Sequence, residues 1–302
     1  MRHSILMLAL LAGACATGAS DEPVAADAAP ALGRAPGEII AAAAPEDWRA
    51  LDPENLLVYE LKRGRVVVAL SEKLAQGHVA QVKALAREHF YDGLSFYRVI
   101  DGFVAQGGDP FEAREIKTAA KTLNAEFDEP LAPEMGFAQI KDVDGYAAKV
   151  GFIDSQPVGV SADGATVWRL HCTGAMALGR NDDKDSAGTE FYFPLQPQRY
   201  LDRNLTVFGQ VVEGMEHLQA LRRVSPPETP KDDVGETIIS VRVAADLPAA
   251  KQPKLEILKS GTPLFAEYVE SRRNRPESFF YYRPNHVDVC ALTIPVRPTA
   301  SE

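Results

Sequence analysis

The pattern of hydrophobic and polar positions between residues 55 and 246 predicts strands with two separated helices. "ENLLVYELKRGRVVVALS" holds two runs rich in Leu, Val and Tyr around a short Lys-Arg-Gly-Arg turn, which is typical of a β-hairpin. "EKLAQGHVAQVKALAREHF" has apolar residues at Val79, Val82, Leu85 and Ala86, the period of an amphipathic helix. "EGMEHLQALRRV" predicts the second helix, and "ETIISVRVAA" predicts a closing strand.

Further strands are predicted in "FYRVIDGFVAQGGDP", "ATVWRLHCTGAMAL", "TEFYFPL" and "LTVFGQVV". Because strands dominate and no β-α-β alternation is present, a closed antiparallel barrel is favoured. Residues 111–165 are less regular; they predict a helical piece in "FEAREIKTAAKTL" followed by long loops and short strands. After residue 246, "GTPLFAEYVESRRNR" predicts a helix and "HVDVCALTIPVR" a strand, in an extension that packs on the barrel.

One arginine lies inside the apolar stretch "FYRVIDGFVAQGGDP". In a regular strand, Phe96, Arg98 and Ile100 would share one face and Tyr97 would lie on the other. A guanidinium keeps its charge and costs several kcal/mol to bury unpaired. Arg98 is therefore either a surface residue or a residue around which this stretch is built.

Composition and charge exclude several classes of function. The chain has 302 residues, a net charge of -10 and 46% hydrophobic residues, as in a soluble globular protein of one large or two small domains. The acidic balance argues against binding to nucleic acid or to an anionic membrane surface. The six histidines are scattered without zinc-like spacing, so no metal and no cofactor are expected. No apolar stretch approaches the roughly 20 residues of a membrane-spanning helix in the mature protein.

The N-terminal segment "MRHSILMLALLAGACA" predicts a signal peptide over residues 1–16, and hence export to the periplasm. Two processing sites compete: Ala14-Cys15-Ala16 fits ordinary cleavage, whereas "LAGAC" resembles a lipobox in which Cys15 is lipidated and anchors the chain to a membrane. Residues 17–45, rich in Ala, Pro, Asp and Gly, predict a disordered linker.

Three cysteines are present, Cys15, Cys172 and Cys290. If Cys15 is lipidated or removed, an even pair remains in an oxidising compartment, where a Cys172–Cys290 disulfide is expected. The alternative is two buried free thiols.

Three segments carry a resemblance to a known family. "YDGLSFYRVIDGFVAQGGDP", "GAMALGRNDDKDSAGTEFYFPL" and "YLDRNLTVFGQVVEGM" are similar, in this order, to the signature segments of the cyclophilins, which are peptidyl-prolyl cis-trans isomerases. The resemblance covers roughly residues 55–246 and implies a mostly β fold, a closed antiparallel eight-stranded barrel with two capping helices. We therefore expect an isomerase domain over residues 46–246, an insertion around 111–165 and an extension over 247–302.

The resemblance also implies the site residues. Arg98 matches the catalytic arginine, and Gln106 the glutamine that binds the substrate backbone and helps to orient that arginine. The matching substrate-binding positions are Phe103, Val104, Gly179, Arg180, Asn181, Glu190, Tyr192, Tyr200, Leu201 and Leu205.

This chain departs from the family pattern at three informative positions. Tyr97 replaces a histidine, and a structural role on the opposite face is expected for it. Glu190 replaces a glutamine and could form an ion pair with Arg98 or Arg180, and Leu205 replaces a histidine at the rim. Asp109 and His171 are expected to be structural.

The function implied is isomerisation of proline-containing polypeptides, as an aid to folding in the bacterial cell envelope, by a monomer. The alternatives are a non-catalytic module that binds proline-containing segments, with Glu190 spoiling catalysis, or an envelope scaffold that uses the insertion and the extension.

Overall fold

A computed structural model describes residues 33–226 and 234–299 of the chain. The strands are, in chain order, β1 (Trp48–Ala50), β2 (Leu56–Leu61), β3 (Gly64–Leu70), β4 (Ser95–Val99), β5 (Val104–Gly108), β6 (Glu129–Pro130), β7 (Ala138–Ile140), β8 (Lys149–Ile153), β9 (Gln156–Val160), β10 (Thr166–Arg169), β11 (Ala175–Leu178), β12 (Phe191–Pro194), β13 (Val207–Glu213), β14 (Glu236–Val243), β15 (Leu255–Leu258) and β16 (Val296–Pro298). The α-helices are α1 (Pro36–Ala41), α2 (Gln76–Arg87), α3 (Met215–Gln219) and α4 (Pro263–Asn274). Short 3-10 helices lie at Pro45–Asp47, Pro53–Asn55, Pro133–Met135, Arg199–Leu201, Ala244–Asp246 and Val289–Ala291.

Eight strands form a closed antiparallel barrel in the order β11-β12-β5-β4-β14-β2-β3-β13, which confirms the predicted fold class. The predicted hairpin is β2–β3, and its turn closes at the Leu61–Gly64 pair. The ring of Phe191 makes edge contacts with Tyr59, Tyr91 and Phe96 in the barrel core. Helix α2 adds its apolar face to this core, as its period predicts, whereas α3 is shorter than the predicted second helix.

The insertion forms a second sheet, with the order β6-β10-β9-β8-β7. The predicted helical piece over residues 111–123 is wrong, because side chains of the region of α2 bind the backbone N–H groups that a helix would need. The Glu88 carboxylate accepts from the backbone N–H of Lys117 at 2.7 Å and of Thr118 at 3.1 Å. The Gln81 side chain exchanges two hydrogen bonds with the backbone of Ala120.

The predicted strand "ATVWRLHCTGAMAL" is divided between the two sheets. Its first part is β10 of the insertion sheet and its second part is β11 of the barrel, with residues 170–174 between them. The strand predicted over 286–297 is also largely wrong, since a 3-10 helix lies at Val289–Ala291 and strand structure is confined to β16. The predicted helix in the extension is confirmed as α4.

The chain before β2, the insertion and the extension share a second hydrophobic core. It joins Ile39 of α1, Phe152 of β8, Trp168 of β10 and Phe265 of α4. The extension also packs on the barrel, where Ile257 of β15 joins the outer face of β2 and β3. Cys172 and Cys290 form a disulfide bond with an S–S distance of 1.96 Å, which ties the loop between β10 and β11 to the extension.

The predicted disordered linker is wrong for residues 33–45. Helix α1 lies in this range, its Ile39 is fully buried, and Arg34 makes two hydrogen bonds of 2.8 and 2.7 Å to Glu267 of α4. Apolar residues of the extension thus supply the packing partners that the segment lacks in its own sequence. The predicted signal peptide, Cys15 and residues 17–32 lie outside the described residues. Within the described ranges, no helix is both long and apolar enough to cross a membrane.

Candidate active site

A β-bulge in β4 brings two consecutive side chains to the same groove. Ser95 pairs with Gly108 and Arg98 with Gln106, so three steps along β4 correspond to two along β5. Such an extra residue breaks the regular alternation of side chains. Phe96 is buried in the barrel core, whereas Tyr97 and Arg98 both line the groove. The predictions that Arg98 shares a face with Phe96 and that Tyr97 lies opposite are therefore wrong.

The groove has a volume of about 980 Å³ and is bounded by the barrel and by the start of the insertion. The barrel contributes most of the predicted site positions. The insertion contributes residues that the sequence did not suggest, which are Glu112, Ala113, Arg114, Glu115, Ile116, Lys121 and Thr122. Asp109 fixes the start of this wall, since its carboxylate accepts from the backbone N–H of Arg114 at 2.6 Å, a contact of the structural kind expected for Asp109.

The Arg98 guanidinium lies above an aromatic ring at the centre of the groove. Its carbon Cζ is 5.2 Å from the ring centroid of Phe103, within the range of a cation–π contact. Its Nη1 donates a hydrogen bond of 3.1 Å to Oε1 of Gln106 on the paired strand β5. The structure thus brings together Arg98, Phe103 and Gln106, as the family pattern implies.

Glu190 is held by Tyr97 rather than by a cation. The Tyr97 hydroxyl donates to Oε2 of Glu190, and the Tyr97 hydroxyl oxygen accepts from Nε2 of Gln106 at 2.5 Å. Burial raises the pKa of the Glu190 carboxyl to about 7, above its ordinary value. Burial also raises the pKa of the Tyr97 hydroxyl, and the nearby Glu190 charge adds to this effect. The ion pair of Glu190 with Arg98 or Arg180 expected from the sequence is not formed.

Arg180 instead binds backbone carbonyls of its own loop and of the loop before β13. Its Nε donates to the carbonyl of Asn204 at 2.9 Å and its Nη1 to that of Asn181 at 2.7 Å. The backbone N–H of Gly179 donates to the carbonyl of Glu190 at 2.7 Å, which places the loop beside β12. All three predicted loop positions, Gly179, Arg180 and Asn181, line the groove.

An apolar pocket adjoins the guanidinium. Val104 and Tyr192 are buried in its walls together with Ala175, Ala177 and Val207, and three half-buried side chains complete it, those of Phe103, Leu201 and Leu205. Tyr200 is the predicted position that the structure does not bring into the groove, because its side chain points into solvent and is 58% exposed.

The pocket wall has a buried polar support that the sequence did not reveal. The hydroxyl of Tyr192 lies 2.9 Å from Nε2 of His171, whose Nδ1 lies 3.0 Å from Oδ1 of Asp202. Asp202 also binds Nε of Arg199 at 2.6 Å, and Arg199 in turn binds Asp144 of the insertion at 2.8 Å. His171 is fully buried, so it has the packed role predicted for it. The one sequence feature that could have predicted this support is the tyrosine at position 192, because a buried tyrosine hydroxyl requires a hydrogen-bond partner.

The chain is similar to known proteins in sequence and in structure. The model of the family described as "Cyclophilin type peptidyl-prolyl cis-trans isomerase/CLD" matches residues 56–243. A probable peptidyl-prolyl cis-trans isomerase of Brucella suis is 30% identical over 197 residues, which covers 65% of this chain and 86% of that protein. Peptidyl-prolyl cis-trans isomerase B of Bacillus subtilis is 30% identical over 152 residues, or 50% of this chain and 79% of that protein.

A solved structure is similar over more of the chain. The crystal structure of cyclophilin AquaCyp293 from Hirschia baltica superimposes with a TM-score of 0.69 and 27% sequence identity. The match covers 84% of this chain and 94% of that one, so it extends beyond the residues that the family model matches.

Proposed function

This chain belongs to the cyclophilin-type peptidyl-prolyl cis-trans isomerases, and we propose that Arg98 is the donor with which it isomerises X–Pro bonds of polypeptides in the bacterial cell envelope. The observation that carries this proposal is the position of the Arg98 guanidinium, 5.2 Å above Phe103 and bonded to Gln106.

The chemical task is rotation about a bond with partial double-bond character. The barrier is about 18–20 kcal/mol, and unaided isomerisation takes tens to hundreds of seconds. No bond breaks during the rotation. The protein therefore needs to favour the twisted state, in which the prolyl nitrogen is pyramidal and its lone pair is free to accept a hydrogen bond.

Arg98 suits that task by its donors and by its surroundings. Gln106 accepts a hydrogen bond from one nitrogen of the guanidinium, so other N–H groups of the guanidinium remain to face the prolyl nitrogen. A donor held in place by the protein costs little reorganisation when the lone pair appears. Because this hydrogen bond is strong only in the twisted state, it lowers the barrier rather than the energy of the bound substrate.

The apolar pocket supplies the second effect. Phe103, Val104, Tyr192, Leu201 and Leu205 surround a space beside the guanidinium that suits a proline ring. Holding the ring fixes one side of the rotating bond and removes water from the nitrogen. Gln106 and the loop from Gly179 lie where they can bind the backbone on the other side.

The bond between Glu190 and Tyr97 supports catalysis over a purely binding role. In the non-catalytic alternative Glu190 spoils catalysis, and an ion pair of Glu190 with Arg98 that competes with substrate is one way in which it could do so. Glu190 is hydrogen-bonded to Tyr97 instead, and Arg98 is bonded to Gln106. Arg98 is thus left to act on substrate.

The envelope location is supported by two features. The N-terminal sequence has the layout of a signal peptide with a lipobox-like "LAGAC". The Cys172–Cys290 disulfide is the kind of bond that persists in oxidising compartments. We propose a monomer that is exported, anchored through a lipid on Cys15, and active on proline-containing segments of envelope proteins.

Fractionation of cells that express the full chain tests the location. The wild type is expected in the membrane fraction with incorporated radiolabelled palmitate. Cys15→Ser is expected to lose the label and to leave that fraction. Recovery of the unprocessed wild-type chain in the cytoplasm would contradict the export proposal. Recovery of unlabelled wild type in the periplasm would contradict lipidation of Cys15 but not export.

A further inference from the structure

Four polar side chains form a directional chain of hydrogen bonds that ends on the guanidinium. The Tyr97 hydroxyl donates to Glu190, Gln106 donates to the Tyr97 oxygen at 2.5 Å, and Arg98 donates to Gln106 at 3.1 Å. Tyr97 and Arg98 come from β4, Gln106 from β5 and Glu190 from the residue before β12. All four line the groove.

Glu190 sets which group donates and which accepts in this series of hydrogen bonds. A carboxylate can only accept, so the Tyr97 hydroxyl must use its proton on Glu190. The Tyr97 oxygen then has lone pairs but no proton for Gln106, and it can only accept from the Gln106 amide nitrogen. That orientation leaves the amide oxygen of Gln106 facing Arg98, which is the acceptor that a guanidinium requires.

We propose that Tyr97 is a positioning residue for catalysis. The Glu190 carboxylate orients the Tyr97 hydroxyl, and this hydroxyl holds the Gln106 amide with its oxygen towards Arg98, where it positions the guanidinium. The proposal rests on the role of Arg98 as the donor to the prolyl nitrogen. It also explains why Tyr97 and Glu190 depart from the family pattern together, since each is the hydrogen-bond partner of the other.

Protonation of Glu190 would reverse this order. The Glu190 oxygen that bonds the Tyr97 hydroxyl is Oε2, and a proton placed on Oε2 can be accepted by the Tyr97 oxygen. Tyr97 must then donate to Gln106, and the amide has to turn its oxygen towards Tyr97. The NH₂ group of Gln106 then faces Arg98. Because both groups are donors, the hydrogen bond that positions the guanidinium is lost.

The charged and titratable groups around Glu190 place this reversal near neutral pH. Besides Tyr97, they are Arg98 on β4, Asp109 after β5, Tyr91 after α2 and Arg180 in the loop after β11. Burial raises the pKa of Glu190 to about 7 and the Asp109 charge adds to this, whereas hydrogen bonds from Tyr97, Gln106 and the backbone of Asp109 lower it. Tyr97 itself stays protonated, because burial and Glu190 raise its pKa.

The test compares the wild type, Tyr97→Phe, Glu190→Gln and Arg98→Ala in a protease-free peptide isomerisation assay from pH 5.5 to 8.5. The peptide carries no group that titrates in this range, and circular dichroism verifies that each variant is folded. We expect the kcat/KM of the wild type to rise through about pH 7. Tyr97→Phe is expected to lose about tenfold in kcat at pH 8, the effect of one hydrogen bond, with KM little changed and no rise with pH.

Glu190→Gln carries no ionisable group at this position and serves as the matched control. It is expected to fold and to lose the rise through pH 7. The proposal is overturned if Tyr97→Phe matches the wild type at every pH, or if the rise persists in Glu190→Gln. A wild type that does not exceed the uncatalysed rate, or that equals Arg98→Ala, would instead contradict the proposed function of Arg98.

Discussion

The hydroxyl oxygen of Tyr192 lies 2.9 Å from Nε2 of His171, so a wall of the proline pocket is held from behind by a fully buried side chain. The carboxylate of Asp202 accepts from the backbone N–H of His171 at 2.8 Å and lies 3.0 Å from its Nδ1. A carboxylate can only accept, so in the neutral imidazole the proton lies on Nδ1 and Nε2 accepts from the Tyr192 hydroxyl.

Removal of the Tyr192 hydroxyl should affect stability more than catalysis. Tyr192→Phe keeps the ring in the pocket but leaves Nε2 of His171 buried without its donor. We expect the free energy of unfolding to fall by about 1–3 kcal/mol and kcat/KM to change by less than about twofold. Urea unfolding and the peptide assay measure the two quantities. Tyr200→Phe is the control, since that side chain is exposed, and equal stabilities of the two variants would contradict this account.

The Cys172–Cys290 disulfide should stabilise the region in which the insertion meets the extension. The two residues are 118 positions apart in sequence, so the bond closes a long loop of the unfolded chain. Replacement of both cysteines by alanine is expected to cost about 2–5 kcal/mol of unfolding free energy. Unfolding with and without dithiothreitol measures this, with the double variant as the control that reductant leaves unchanged. If dithiothreitol leaves the unfolding free energy of the wild type unchanged as well, the prediction is contradicted.

Glu190 should make the native state less stable as the pH rises. Its folded pKa of about 7 lies above its ordinary value of 4.5, so between these values the native state binds more protons than the unfolded state. Stability from this group is complete below the ordinary pKa and is lost as the pH rises through 7. The loss amounts to roughly 3 kcal/mol.

Glu190→Gln provides the measurement for that prediction. The difference in unfolding free energy between this variant and the wild type should grow in favour of the variant from pH 4.5 to 8. Denaturant unfolding at several pH values follows it. A difference that is independent of pH would show that the carboxylate is not buried in the way described.

The sequence predicted the barrel and the centre of the site from local signals. Val79, Val82, Leu85 and Ala86 lie in the core because the period of a helix fixes one face of α2. Arg98 and Gln106 follow from a resemblance that preserves spacing along β4 and β5. Such features depend on residues that are close in sequence.

Features that depend on distant partners were not predictable in the same way. The bulge in β4 is a property of its pairing with β5, so alternation alone placed Tyr97 on the wrong face. Residues 111–123 have a helical composition, but Gln81 and Glu88 bind their backbone and prevent a helix. Residues 33–47 hold few apolar side chains, and Ile39 among them is buried against the extension, to which Arg34 is hydrogen-bonded across 233 positions of the sequence.

The central claim is that Arg98 lowers the barrier to rotation about the X–Pro bond. The most direct test is kcat/KM for a proline peptide at pH 8, measured on the wild type, Arg98→Lys and Arg98→Ala after each is shown to be folded. Arg98→Ala should lose about a hundredfold or more, as when a positioned donor is removed from a transition state. Arg98→Lys should recover only part of this loss, because its point charge lacks the fork that bonds Gln106 and substrate together. An Arg98→Ala variant with activity within about twofold of the wild type would contradict the claim.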